Sequence, residues 1–271
     1  MIRALLLAAA VTIGAGVLPA PALAGSSGAN APTHYAIEDI DIFAKYVEDE
    51  LARRGARVAL VARIGRDPDD LPAGLRYSHV AWWVYSEIRL ADGRVTRGYA
   101  VHNLYQEADD AARSSIVQDF PADFFRPVER LEAGIVVPVP EVQQKLLRAI
   151  AAGVPAAVHV PSYSLVANPF EATYQNCTEH ALDVLNAALY DTTDPVRLKR
   201  VARQHFHPSP IDVGPLSRAL GPLVIPGLTL ADHAGPIRTT TYESIAAYMR
   251  GNGLTLEQFT LARRAPRLTG T

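Results

Sequence analysis

A predicted β-hairpin in the first half of the chain constrains the fold more than any other feature. Residues 78–90 and 95–105 are both rich in β-branched and aromatic side chains, and Asp92-Gly93 lies between them. Asp-Gly between two such runs is a strong signal for a two-residue hairpin turn. The sequence therefore predicts an antiparallel sheet that contains this hairpin.

The rest of the chain combines helical apolar periodicity with short apolar runs, which predicts an α+β domain. The predicted helices cover 35–54, 140–152, 177–189, about 195–204, and a segment that opens at Thr240-Thr241 and ends at Met249. The predicted strands outside the hairpin are 57–64, 134–139 and 156–160, with short helices over 107–125 and an irregular loop over 163–175. Repeated prolines over 207–236 predict irregular structure there. Residues 191–271 are therefore expected to form a helical, Pro-rich C-terminal extension and a candidate accessory part.

The N-terminus has the pattern of a secretory signal peptide. An apolar run from Ala4 to Val17 is followed by Ala22-Leu23-Ala24, which is the small-x-small pattern of a cleavage site. We expect residues 1–24 to be removed and 25–34 to be a flexible leader. The predicted product is a single domain over 35–271 that is exported to the periplasm or the extracellular space.

Charge and cysteine content exclude several classes of protein. The formal net charge is -2 and the pI is about 6.4, so there is no basic excess of the kind that nucleic-acid binding requires. We expect no transmembrane segment after cleavage of the signal peptide, because its apolar run is too short for a span. The single cysteine, Cys177, excludes an intramolecular disulfide.

The position of Cys177 suggests a nucleophile. The residue opens a predicted helix, and Asn176 before it is a favourable N-cap residue. The partial positive charge at a helix N-terminus favours the thiolate, which is the reactive form of cysteine. The alternative is a small buried apolar residue, since free cysteines are often buried and inert.

A cysteine nucleophile needs a base, and the base needs a polar group that orients it. His79, at the mouth of the first hairpin strand, is the candidate base. In an unbulged two-residue hairpin, Gln106 lies directly across from His79 and is the first candidate for the orienting group. His102 and Asn103 are the other polar candidates on the neighbouring strand.

Two short blocks resemble a known superfamily. Ser78-His79-Val80-Ala81 is similar to the Ser-His-Val-Gly block of the circularly permuted papain-like proteins, which include NlpC-type and lecithin-retinol acyltransferase-like proteins. Asn176-Cys177-Thr178-Glu179-His180 is similar to the Asn-Cys-Glu-His block of that group, with a threonine inserted after the cysteine. The resemblance implies a papain-like core of helices on an antiparallel sheet, with Cys177 as nucleophile and His79 as base. The whole chain also resembles an uncharacterised family of exported bacterial proteins.

These observations predict an exported cysteine hydrolase or acyltransferase that acts on an amide, ester or thioester. The expected partners are a peptide, cell-wall or acyl substrate, with cell-wall peptide as the first candidate, and no cofactor is required. One alternative is a non-catalytic envelope protein that uses the same scaffold to bind a peptide or a lipid. Another is a zinc site formed by Cys177 with His180, or by His205 with His207.

Overall fold

The structure is a computed structural model that describes residues 33–89, 93–212, 222 and 225–268. The predicted signal peptide, most of the predicted leader and Asp92 of the hairpin turn lie outside the described residues. Within the described ranges, no helix is long and apolar enough to span a membrane.

Six strands form one sheet in which every neighbouring pair is antiparallel, as the hairpin predicted. The strand order is β4-β3-β2-β1-β5-β8, and β6 pairs with β7 in a separate two-stranded sheet. The strands are β1 (Val58–Ile64), β2 (His79–Arg89), β3 (Val95–Gln106), β4 (Ser114–Asp119), β5 (Arg130–Pro138), β6 (Ser209–Pro210), β7 (Arg238–Thr239) and β8 (Thr255–Ala262).

Helices pack against this sheet, and most begin where the sequence predicted. The helices are α1 (Ile37–Arg53), α2 (Pro121–Phe125), α3 (Pro140–Ala151), α4 (Val154–Ala157), α5 (Cys177–Tyr190), α6 (Pro195–His205) and α7 (Tyr242–Gly251). The predicted N-cap of α5 is confirmed, because the side chain of Asn176 accepts a hydrogen bond from the backbone N–H of Glu179. A capping box formed by Thr241 and Ser244 starts α7 at Tyr242, within the segment that the sequence predicted to open at Thr240-Thr241.

The sheet separates two hydrophobic cores. On one face, Trp82 packs among side chains of α3, α5, α6 and α7, and its indole Nε1 donates to the carbonyl of Ala181 at 3.0 Å. On the other face, Trp83 packs with Phe43 of α1 and Phe124 of α2. Every residue of β1 is buried, as expected for a central strand that is covered on both sides.

Three predicted elements were wrong. Residues 114–119 form β4 rather than part of a helix, because they complete the sheet against β3. Residues 154–157 form the helical turn α4 rather than a strand, since Gly153 takes a left-handed conformation before it and Pro155 occupies its first turn. The C-terminal part is not purely helical, because β8 adds an edge strand beside β5.

The register of the central hairpin also differs from the prediction by one residue. Arg89 pairs with Val95 and Trp82 pairs with His102. Continuing this register places His79 across from Tyr105 rather than Gln106. A shift of one residue moves every side chain of a strand to the opposite face of the sheet. The shift therefore puts Asn103 and Tyr105 on the face of His79, which changes the predicted site.

Candidate active site

Cys177 is the first residue of α5, as the sequence predicted, but its environment does not favour the thiolate. The side chain is 8% exposed and packs against Leu104 and Tyr163. Burial raises the pKa of the Cys177 thiol, although the backbone N–H of Val80, the charge of Arg63 and the N–H of Thr178 act in the opposite direction. The N–H groups of the helix start lower the pKa as expected, but burial outweighs them and the net shift is upward.

Hydrogen bonds fix the backbone that carries Cys177. The Asn176 amide nitrogen donates to the carbonyl of Leu165 and to the hydroxyl of Thr239, both at 3.1 Å. The hydroxyl of Thr178 donates to the carbonyl of Thr240 at 2.7 Å. These contacts attach the N-terminus of α5 to two other segments of the chain, so the position of the sulfur is set by tertiary structure.

His79 is buried at the start of β2 and is held by its neighbours. Its Nε2 lies 3.0 Å from Oδ1 of Asn103. Its ring stacks on that of Tyr105, with 5.1 Å between the ring centroids and 2° between the ring planes. It also contacts Phe124, which belongs to the core on the Trp83 face of the sheet. Burial and the charge of Arg63 hold the pKa of His79 well below its usual range. The imidazole is therefore neutral at pH 7 and can accept a proton.

The prediction that Gln106 lies beside His79 was wrong, and Asn103 occupies that place. The amide nitrogen of Gln106 donates to the carbonyl of Ala111 instead. His102 faces Trp82 across the hairpin, and burial lowers its pKa to about 4. Asn103 is fully buried. The sequence ranked it behind Gln106, because the unbulged two-residue hairpin put Gln106 directly across from His79.

Behind Asn103 lies a carboxylate that the sequence did not single out. The Asn103 amide nitrogen donates to Oδ2 of Asp119 at 3.1 Å, and the Tyr105 hydroxyl donates to the same oxygen at 2.7 Å. Burial raises the pKa of Asp119, and the Tyr105 hydroxyl acts against this. The guanidinium of Arg63 lies over the Tyr105 and Phe124 rings, 5.7 and 4.9 Å from their centroids. The imidazole, the amide and the carboxylate thus form one buried chain.

The sulfur and the imidazole both lie at the start of β2, but they are not hydrogen bonded. Among the described residues, no hydrogen bond joins Sγ of Cys177 to the His79 ring. The Val80 N–H that points at the sulfur belongs to the residue directly after His79. Arg66, Ser78, Tyr163 and Leu165 line both the cavity of Cys177 and the cleft of His79. Catalytic hydrogen bonds are often long or poorly aligned until substrate binds.

The cavity that contains Cys177 has a volume of about 300 Å³ and a mostly aliphatic wall. Its apolar lining comes from the loop after β1, the loop before α5 and the segment around β6 and β7, namely Leu71, Pro72, Leu75, Tyr77, Leu165, Val166, Ile211, Ile225, Leu228, Leu230 and Ile237. Arg66 is the one charged side chain among the described lining residues. The cavity can therefore accept an apolar group next to the sulfur.

A buried ion cluster lies further along α5. Nζ of Lys199 donates to Oε1 of Glu179 at 2.6 Å and to both oxygens of Asp183 at 3.1 and 2.9 Å. The Gln175 amide nitrogen donates to Oδ2 of Asp183 at 2.9 Å. Burial raises the pKa of Glu179 to about 8. The cluster links α5 to α6 and to the loop before α5.

The residues named for a zinc site are separated. Nε2 of His180 lies 2.9 Å from the carbonyl of Pro155. His205 and His207 are exposed at the end of α6. Within the part of the chain that the structure describes, no three His, Cys, Asp or Glu side chains are grouped as metal ligands would be.

Comparison with known proteins gives one match. A family model described as "Uncharacterized protein conserved in bacteria (DUF2145)" matches residues 50–249, which include His79, Asn103 and Cys177. No curated protein and no solved structure matches the chain. The match covers more than half of the sequence and runs from α1 to α7. The chain therefore belongs to this bacterial family.

Proposed function

We propose that the protein is an exported cysteine hydrolase or acyltransferase with Cys177 as nucleophile and His79 as base. The hydrogen bond between His79 and Asn103 carries this proposal, since it engages Nε2, and we therefore assign the proton transfer from the thiol to Nδ1. Nucleophilic thiol catalysis requires an imidazole oriented by a polar group and a cysteine within its reach. The amide of Asn103 orients His79, and the cavity of Cys177 shares four lining residues with the cleft of His79. Membership of a bacterial family and the sequence pattern of a signal peptide support the exported location.

The raised pKa of Cys177 and the lowered pKa of His79 favour an uncharged thiol and an uncharged imidazole over a thiolate–imidazolium pair. His79 would then act as a general base that removes the thiol proton during the attack. The thiol proton passes to Nδ1 of His79 as Sγ bonds to the substrate carbonyl carbon, and the carbonyl oxygen becomes an oxyanion. We assign the stabilisation of that oxyanion to the backbone N–H of Cys177 or Thr178, because both act on the sulfur. The oxyanion then collapses, the bond to the leaving group breaks, and the imidazolium returns its proton to the leaving group.

The remaining acyl thioester on Cys177 is released by water in a hydrolase, or by an acceptor hydroxyl or amine in an acyltransferase. The aliphatic cavity favours a substrate that carries an apolar group on the carbonyl side of the bond. Cell-wall peptide was the first candidate from the sequence. Its charged groups would have to be buried in this mostly aliphatic cavity, where Arg66 is the one charged partner among the described lining residues. An acyl ester or thioester is therefore the better candidate.

Hydrolysis of a matched pair of activated esters, p-nitrophenyl acetate and p-nitrophenyl octanoate, tests the proposal. We expect turnover that is lost in Cys177→Ala and a higher kcat/KM for the octanoyl ester, because each buried methylene contributes about 0.8 kcal/mol. Leu165→Trp, which narrows the cavity, should reduce the preference for octanoyl and spare the acetyl ester. Equal rates for the wild type and Cys177→Ala would overturn the proposal.

A second function is supported by the burial of Cys177, which is 8% exposed and has a raised pKa. A non-catalytic envelope protein could use the same cavity to bind an aliphatic ligand without any reaction at sulfur. Saturable binding of octanoate by the wild type and by Cys177→Ala, without turnover of either ester, would favour this function over the enzyme.

A further inference from the structure

Asp119 determines which way the Asn103 side chain faces. A carboxylate accepts hydrogen bonds and donates none, so the group of Asn103 that lies 3.1 Å from Oδ2 of Asp119 is its NH₂. The Tyr105 hydroxyl donates to the same oxygen at 2.7 Å, which holds that acceptor in place. Because the amide nitrogen faces Asp119, the amide oxygen must face His79.

The orientation of the Asn103 amide in turn fixes the proton on the imidazole. Oδ1 of Asn103 can only accept, and it lies 3.0 Å from Nε2 of His79. Nε2 must therefore carry the hydrogen in the neutral ring. The lone pair is then on Nδ1, the nitrogen that takes the thiol proton in the proposed reaction. A flipped amide would donate to Nε2 and place the hydrogen on Nδ1, where it blocks the base.

We infer that Asp119 is a positioning residue that, through Asn103, holds His79 in the tautomer with hydrogen on Nε2 and a free lone pair on Nδ1. This inference rests on the proposed function for its catalytic meaning, but the tautomer itself can be measured independently of activity. The ring stack of Tyr105 on His79 keeps the imidazole in the plane that the Asn103 oxygen requires.

The surroundings of Asp119 isolate this chain of hydrogen bonds from solvent. Asp119 is 6% exposed, and the charged groups that act on it are Arg63 of β1 and Asp123 of α2. Asp123 does not bond to Asn103, so it offers a matched control that removes one negative charge close by. Asp119→Asn keeps an acceptor oxygen, whereas Asp119→Leu removes it.

The decisive experiment measures the tautomer of His79 by ¹⁵N NMR of the imidazole nitrogens, in the full-length mature protein at a pH where the ring is neutral. We expect the wild type, Asp119→Asn and Asp123→Asn to show hydrogen on Nε2. Asp119→Leu should show a mixture of tautomers. If Asp119→Leu folds poorly, the double variant Asp119→Leu with Tyr105→Phe replaces it in the experiment. The second change removes the Tyr105 hydroxyl, which has lost its acceptor, and the double variant should show the same mixture of tautomers.

The same variants should differ in kcat for hydrolysis of the octanoyl ester. Losing the hydrogen bond to Asp119 changes the equilibrium between the two amide orientations by about tenfold or more. The kcat of Asp119→Leu should fall in proportion to the fraction of rings that keep hydrogen on Nε2, which is about twofold for an even mixture of tautomers, with KM unchanged. Asp119→Asn should restore most of the rate. An unchanged Nε2–H tautomer in Asp119→Leu would overturn the inference even if the protein is an active enzyme. A mixed tautomer in a protein with no turnover would uphold the inference and reject the proposed function.

Discussion

Replacing Lys199 with methionine tests how the helix that carries Cys177 is anchored. Burial lowers the pKa of Lys199, but the charges of Asp183 and Glu179 outweigh burial and raise it, so the ammonium is charged. Lys199 and the two carboxylates are all buried. Methionine keeps much of the length of the side chain and removes the charge, which leaves Asp183 with only the Gln175 amide as a side-chain partner.

Removing one partner of a buried ion pair destabilises a protein by about 3–5 kcal/mol, because the other charge remains buried without compensation. Burial raises the pKa of Glu179 to about 8, so proton uptake by Glu179 compensates part of the lost charge in the variant at pH 7. We therefore expect a loss near the lower end, about 3 kcal/mol. With a shift of about 2–4 °C per kcal/mol for a domain of this size, the Tm should fall by about 10 °C.

Urea unfolding followed by far-UV circular dichroism measures this loss, at pH 5.5 and at pH 8. The deficit of Lys199→Met should be larger at pH 8, because loss of the ammonium raises the pKa of Glu179 further and the variant keeps a proton that the wild type begins to release. Lys145→Met is the matched control, since Lys145 is exposed and donates only to the carbonyl of Leu189. A deficit below about 1 kcal/mol at both pH values would refute the reasoning.

Three further changes have defined outcomes. Gly134→Ala should lower the free energy of unfolding by about 1–3 kcal/mol, because an added Cβ would lie 2.7 Å from the Tyr77 ring and 2.9 Å from the Tyr242 ring. Thermal unfolding measures this loss, and an unchanged Tm would contradict it. Asn176→Ala should cost about 2 kcal/mol or more, because it removes the α5 cap and the two hydrogen bonds of the amide nitrogen. Urea unfolding measures this against Asp194→Ala, which removes only the exposed cap of α6, and equal losses would contradict it. Glu179→Gln should flatten the pH dependence of stability. Burial raises the pKa of Glu179 from 4.5 to about 8, so the folded state binds more protons in that window and the wild type loses stability as pH rises through it; an equal slope in both proteins would disprove this.

Local patterns predicted most of the elements, but they could not predict the register. Asp92-Gly93 and its flanking runs located the hairpin, and Asn176 located the start of α5. The last observed pair of the hairpin is Arg89 with Val95, which encloses five residues, an odd number that a two-residue turn at Asp92-Gly93 cannot give. Loop length sets the register of a hairpin, and the dipeptide alone did not specify that length. The resulting one-residue shift exchanged Gln106 for Asn103 beside His79.

The elements that sequence reasoning missed have weak local signals. β8 is an edge strand of alternating exposed and half-buried residues, and its place is set by pairing with β5. The role of Asp119 depends on the pairing of β4 with β3, so a lone aspartate in the sequence gave no indication of it. The raised pKa of Cys177 likewise depends on how tertiary structure buries a helix start that the sequence located correctly.

Acylation of Cys177 is the most direct test of the central claim that this residue is a nucleophile served by His79. The folded mature protein would be mixed with p-nitrophenyl octanoate, quenched in acid at intervals and analysed by mass spectrometry with peptide mapping. We predict an octanoyl adduct on Cys177 that forms at least about a hundredfold more slowly in His79→Ala, the usual minimum contribution of a general base. No adduct on Cys177 in the folded wild type, or equal rates of formation in the wild type and His79→Ala, would contradict the account.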